Sequence, residues 1–343
     1  MTTMKFGGSS LGLDFERLRV FARAVLLCNL FAPLHCFSQV AFVTSNDQAW
    51  NQYFLGASAD GKVFFGSQSR PVLTYNEGRP IRWTAESGVQ VLGNLNGGGS
   101  AFAIAMSSDG TTIVGGGVFG TGDVFRASAF RWTAATGTVA LDLLRDGGFS
   151  AAYGVNRDGS VVVGVSENGA FRWTNATGMV SLGSLNGGRF AFAYGVSADG
   201  NTIAGTAQDG TMFQSSRAFR WTQTTGMQSL GLGQLPGTVS TDGRAISADG
   251  STIVGFSSNE NGINHTAFRW TTQEGMVSLG RPPGWITSIP GGVSANGKII
   301  VGGAVGDWWN RRISLDSGAR NAFDRVMVEG QWCCGQFAIR TFG

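Results

Sequence analysis

Apolar and polar positions alternate along most of this chain, in short stretches punctuated by glycine. Residues 193–205, AYGVSADGNTIAG, show the unit: apolar and small residues alternate, Asp199-Gly200 interrupts, and the alternation resumes. A period of two places every second side chain on one face of a strand. Asp-Gly supplies the positive backbone angles that a tight hairpin demands. The stretch therefore predicts strand, turn, strand. AFRWT at 218–222 sets Phe219 and Trp221 on one side and Arg220 on the other, a Thr-Gly turn follows, and GMQSL resumes the apolar pattern. Two hairpins, hence four strands, make one unit.

The unit recurs. Trp83, Trp132, Trp173, Trp221 and Trp270 each follow an arginine, and Phe130, Phe171, Phe219 and Phe268 precede four of those arginines, with Ile81 in that place in the first copy. Between these marks fall Asp60-Gly61, Asp109-Gly110, Asp158-Gly159, Asp199-Gly200, Asp249-Gly250 and Asn296-Gly297, and each landmark returns after 41 to 50 residues. Glycines at the strand ends, Gly115, Gly164, Gly205 and Gly255, suit close packing between units or bulges.

A four-stranded antiparallel unit of this size cannot bury its apolar faces alone, and stacking units about an axis covers both faces while leaving short edges. The expected fold is all-β, a β-propeller of about six four-stranded blades, with an open β-repeat solenoid as the alternative. Residues 1–38 form a leader, 39–302 the repeats, and 303–343 a degenerate last repeat and tail in which Trp308 and Trp309 stand where AFRWT should return. Burial of each repeated Phe and Trp is worth about 2–3 kcal/mol, so the tryptophans are expected in the core.

Composition fits many short, tightly turned strands: there are 54 glycines, and charged residues make up only 14% of the chain, below the usual quarter. A net charge of +3, with arginines that recur at one place in the repeat and do not mass into a basic run, gives no argument for nucleic acid, which is not expected as a partner. Cys28, Cys36, Cys333 and Cys334 are the only cysteines, so no disulfide framework holds the repeats together.

Arg17, Arg19 and Arg23 precede an apolar run from Ala24 to Leu34, broken by Asn29, with Ser38 beyond it. Basic, then apolar, then small is the layout of a secretory signal with cleavage after about Ser38. The run is shorter than the roughly twenty residues of a membrane-spanning helix, so no transmembrane segment is expected. The expected location is extracellular or periplasmic. KFGGSS from Lys5, followed by ERLRVFARAV, resembles the start of aspartate kinases, in which a lysine and glycine loop handle phosphate. That resemblance covers about twenty residues before the β repeat begins near residue 50, so kinase activity is not expected and a fused reading frame is the alternative to a signal.

Taken together, AFRWT, TGMVSLG and GVSADG resemble the extracellular HAF-type repeats of bacteria, over about residues 53–302. The SADG hairpin also looks like the innermost hairpin of TolB-type propellers. The HAF resemblance implies an exported repeat protein of undefined activity. After Gly302 the chain departs from the pattern, and no series of alternating strands for a C-terminal membrane barrel follows.

Catalytic chemistry is sparse. His35 and His265 are the only histidines, which rules out histidine metal clusters in each repeat and leaves at most one triad, built on His265. The repeated aspartates read as turn formers, with no cofactor or metal expected. Loop carboxylates Asp123, Asp209 and Glu260 sit in separate repeats, with no spacing that selects a glycosidase pair. The two tight turns of each unit share one face, and longer, diverse loops share the other, where Phe125, Arg126, Arg189, Met212, Phe213 and Trp285 lie. Aromatic and arginine side chains on variable loops suit binding. The expected function is an exported or cell-surface, monomeric interaction module for a glycan or protein ligand on that face, not an enzyme. The alternative is a propeller-fold polysaccharide hydrolase or lyase.

Overall fold

The computed structural model describes residues 4–6, 9–11, 51–306 apart from short segments (73–74, 96–99, 120–125, 142, 145–147, 168, 212–215, 234, 236 and 260–263), and 335–340. Two units are distinct. In the smaller, Met4–Phe6 and Ser9–Leu11 form a two-stranded hairpin, while the leader beyond it lies outside the described residues. The larger unit holds six antiparallel sheets, five of four strands and one of three, each with its strands in sequence order. All described elements are strands, as the alternation predicts.

The first strands of the sheets are Asn51–Ala57, Ala101–Met106, Ser150–Val155, Ala191–Val196, Ser240–Ile246 and Trp285–Val293. Successive first strands touch one another, whereas the fourth strands, such as Gly178–Ser181 and Gly226–Ser229, do not converge. The first strands are thus the inner edge of a fan of blades. Each sheet packs on the next, and no comparable packing joins the sixth sheet to the first among the described residues. The fold is an all-β array of propeller-like blades that does not close into a ring.

The cores lie between sheets. Phe171 of the third sheet packs with Val114, Ala129 and Leu141 of the second, and Phe219 of the fourth packs with Val161, Val163 and Leu182 of the third. Phe130, Phe171, Phe219 and Phe268 are fully buried. Each lies opposite a strand-two glycine, and a Cβ at Gly164 would run into both the Ala151 carbonyl oxygen and the Phe171 ring, so only glycine lets the first two strands approach there.

The tryptophans sit in or against the cores, as expected. Trp132 is buried, but Trp173, Trp221 and Trp270 are half-buried. Two of them also receive the arginine of the preceding blade: Arg82 stands 6.0 Å from the Trp132 ring centre and Arg131 5.8 Å from that of Trp173. Arg131 Nε also donates to the Gly159 carbonyl of the next blade's Asp-Gly turn at 3.1 Å. The Phe-Arg-Trp motif is a clamp from one blade to the next.

The Asp-Gly turns are cross-braced. Ser58 Oγ donates to Asp60 Oδ1 at 2.6 Å, the Lys62 N–H donates to the same oxygen, and the Val63 N–H donates to Ser58 Oγ. Ser107, Ser197 and Ser247 repeat this arrangement with Asp109, Asp199 and Asp249. Adjacent turns are also joined by backbone, Ala59 N–H to Ser108 carbonyl and Ala198 N–H to Ala248 carbonyl, both at 2.8 Å. The aspartates are turn formers, as expected.

The third strand of the sixth sheet is Gly335–Arg340. Phe337 pairs with Gly302 there, the register that Phe268 has with Gly255 in the fifth sheet. The counterpart of the repeated phenylalanine is therefore Phe337, whereas Trp308 and Trp309 lie outside the described residues.

Candidate functional site on the inner strands

Every inner strand carries a bulge at the same place, one residue that the partner strand does not match. These residues are Leu55, Ile104, Tyr153, Tyr194, Arg244 and Gly291. A bulge takes a residue out of the ladder and re-aims its side chain. Leu55 is 53% exposed and Ile104 37% exposed, so the row faces solvent on the inner edge. Its chemistry runs from aliphatic in the first two sheets, through aromatic in the third and fourth, to cationic in the fifth.

The richest stretch joins the third, fourth and fifth sheets. The Tyr153 and Tyr194 rings lie 5.3 Å apart, and Phe192 stacks on Tyr194 at 6.1 Å with 11° between the planes. Arg244 places its guanidinium 5.0 Å from the ring centres of both Tyr194 and Phe256, and it forms no hydrogen bond or ion pair among the described residues. A guanidinium held by two rings keeps its in-plane donors available.

Asp242 stands two residues before Arg244, close to Thr206 and Ser216 of the fourth sheet and to His265. Burial pushes its carboxyl above the usual carboxylate range, and the Arg244 charge only partly offsets that. The buried Thr206 hydroxyl faces the Asp242 carboxyl and pulls its pKa back down. Burial also lowers His265 below the ordinary imidazole value, against the pull of Asp242, and raises Tyr194 and Tyr153.

His265 does not assemble a nucleophilic triad. Its Nδ1 lies 2.9 Å from Ser258 Oγ, but Ser258 is only 6% exposed and the ring packs on Phe256 at 4.6 Å, so the hydroxyl has no approach for a substrate carbonyl. Asp209 is likewise engaged in structure. Its Oδ1 accepts from Asn186 Nδ2 at 3.0 Å and from the Thr211 hydroxyl at 2.8 Å, pinning the loop between the third and fourth sheets. Asp123 and Glu260 lie outside the described residues.

The loop residues expected to bind are partly placed. Phe125, Met212 and Phe213 lie outside the described residues, and Arg126 opens the strand Arg126–Thr133. Arg189 is exposed just ahead of the fourth inner strand, with its backbone N–H donating to Gln208 Oε1, and half-buried Trp285 begins the sixth inner strand. Both stand at the loop end of inner strands, ahead of the bulge in each. Sequence reasoning missed the row itself. Its signal was available: the residue five places before each Asp-Gly or Asn-Gly is leucine, isoleucine, tyrosine, tyrosine, arginine and glycine in turn, varied within an otherwise repeated hairpin.

No family model matches the chain, and no curated protein matches it. Similar solved structures include TolB from Acinetobacter baumannii, at 14% identity and a TM-score of 0.41 over 65% of this chain and 53% of that one. A putative TolB from Agrobacterium tumefaciens gives 14% and 0.42 over 63% and 73%. Dipeptidyl peptidase 4 from Porphyromonas gingivalis gives 11% and 0.42 over 73% and 49%. This chain spans about half the length of the first of these.

Proposed function

We propose that this protein is an exported interaction module that binds a glycan or protein ligand at the loop end of its inner strands. The carrying observation is the junction of the third to fifth sheets. It gathers Tyr153, Phe192 and Tyr194 beside the Arg244 guanidinium, whose Asp242 neighbour only partly balances it. Tyrosine and arginine dominate energetic centres of contact, and solvent-facing apolar side chains in a row mark interaction sites. Arg189 and Trp285, at the starts of the fourth and sixth inner strands, are proposed to add to the contact, as are Phe125, Arg126, Met212 and Phe213 from the variable loop segments of the sequence. The HAF-type resemblance and the basic-then-apolar leader support export to the periplasm or cell surface.

A polysaccharide hydrolase would bring two carboxylates to a sugar. The described inner strands bring Asp242 alone to this junction, which favours binding over cleavage. A glycan array and a surface-protein screen with the full chain test the proposal. A partner retained by the native protein and lost on combined Phe192→Ser and Tyr194→Ser substitution, with unfolding unchanged, is the expected result. Full-strength binding by that double variant would refute the assignment of the site.

A further inference from the structure

The junction of the fourth and fifth sheets presents three chemistries side by side. A stacked guanidinium offers unspent donors, a carboxylate two residues away offers an acceptor, and tyrosine rings run on from the guanidinium along the same edge. Beside Asp242 lies the buried Thr206 hydroxyl, which helps hold that carboxyl in place.

We propose that this junction binds an acidic saccharide, a pyranose bearing a carboxylate. This rests on the interaction role above and names its ligand class. The sugar carboxylate meets Arg244, whose planar fork matches a carboxylate in two parallel hydrogen bonds. Hydroxyls of the same ring donate to Asp242. The apolar C–H face of the pyranose lies on Tyr194, and a neighbouring sugar reaches Tyr153, whose ring centre is 5.3 Å away, comparable to the length of one sugar residue in a chain.

An acidic peptide satisfies Arg244 equally well. It brings its carboxylate toward Asp242, however, without hydroxyl donors beside it to offset that repulsion. A uronic acid carries anion and donors on one rigid ring, so both members of the Asp242 and Arg244 pair find complements together.

The test is calorimetric titration of the full chain with trigalacturonate, trimannuronate, a neutral galactose trimer and a short aspartate-rich peptide. The measurements are repeated on Arg244→Gln, Arg244→Lys and Tyr194→Ala. At least one of the two uronate trimers should bind, tenfold or more tighter than the neutral trimer. Arg244→Gln should weaken that binding at least tenfold and Tyr194→Ala at least fivefold, with Arg244→Lys between native and Gln, and with unchanged thermal unfolding. Equal binding of the neutral trimer, uronate binding indifferent to Arg244→Gln, or no saccharide binding overturns the inference. If the peptide alone binds, and does so through Arg244, the saccharide inference falls while the interaction role stands. If no ligand binds, the saccharide inference falls and the partner screen above decides the interaction role separately.

Discussion

Phe171 and Trp173 stand two positions apart on one strand and carry different loads. Phe171 is fully buried against the second sheet, whereas Trp173 is half-buried beneath Arg131. Phe171→Ala should therefore cost about 3–5 kcal/mol, and Trp173→Ala roughly 1–3 kcal/mol. Urea unfolding midpoints check the order, and a larger loss at Trp173 would contradict it. A second residue-scale expectation concerns acid. Asp242 titrates above its unfolded value of about 3.8, so between the two values the folded state holds the extra proton, and this group's contribution to stability falls as pH rises. His265 titrates below 6.5, so its contribution is present above that value and is lost as pH falls beneath it. Asp242→Asn should flatten the decline in stability that Asp242 imposes through the carboxylate range and, by removing the charge that pulls His265 upward, extend the His265 window to lower pH. Thermal unfolding of both proteins at a series of pH values from 3 upward reads this directly.

At the scale of elements, the hairpins were legible in the sequence because their chemistry is local. Asp199-Gly200 fixes the turn, and the alternation around it fixes which residues pair. Gly200 has a φ of 74° and its missing Cβ leaves room for Val161 of the preceding blade, so Gly200→Val should both strain the turn and push the third and fourth sheets apart. Loss of roughly 3 kcal/mol or more is expected, scored by the unfolding midpoint; a shift within about 0.5 kcal/mol would show that the turn tolerates the change. Two features were not legible. The bulge leaves the period of two intact on either side, so although the varied residue five places before each turn hinted at the row, its place outside the ladder emerges only when the inner strand is laid against its partner. Phe337 was hidden because QFAIR lacks the Arg-Trp pair and comes some thirty residues after its neighbour strand, so only backbone pairing exposes it.

For the whole molecule, contact runs from each sheet to the next, as in a repeat array whose stability is a sum of units and junctions. Third and fourth sheets have neighbours on both sides, while the first and sixth have one each among the described residues. Amide exchange should begin in the first and sixth sheets and reach Val162 and Ile203 last. Simultaneous exchange of all six would point instead to a closed, single cooperative unit. Export is expected at this scale as well, with the leader processed and the protein recovered outside the cytoplasm. Intact N-terminal peptides in a cytosolic fraction would contradict it.

The recurring bulge has a further consequence. Its residue stands outside the ladder in every inner strand, so exchanging it leaves the backbone pairing that holds each blade in place, while Tyr153, Tyr194 and Arg244 meet one another across neighbouring sheets. Leucine, isoleucine, tyrosine, arginine and glycine already occupy that one place in a single chain. Selection can therefore retune what the surface prefers one codon at a time, with the backbone pairing of each blade insulated from the change.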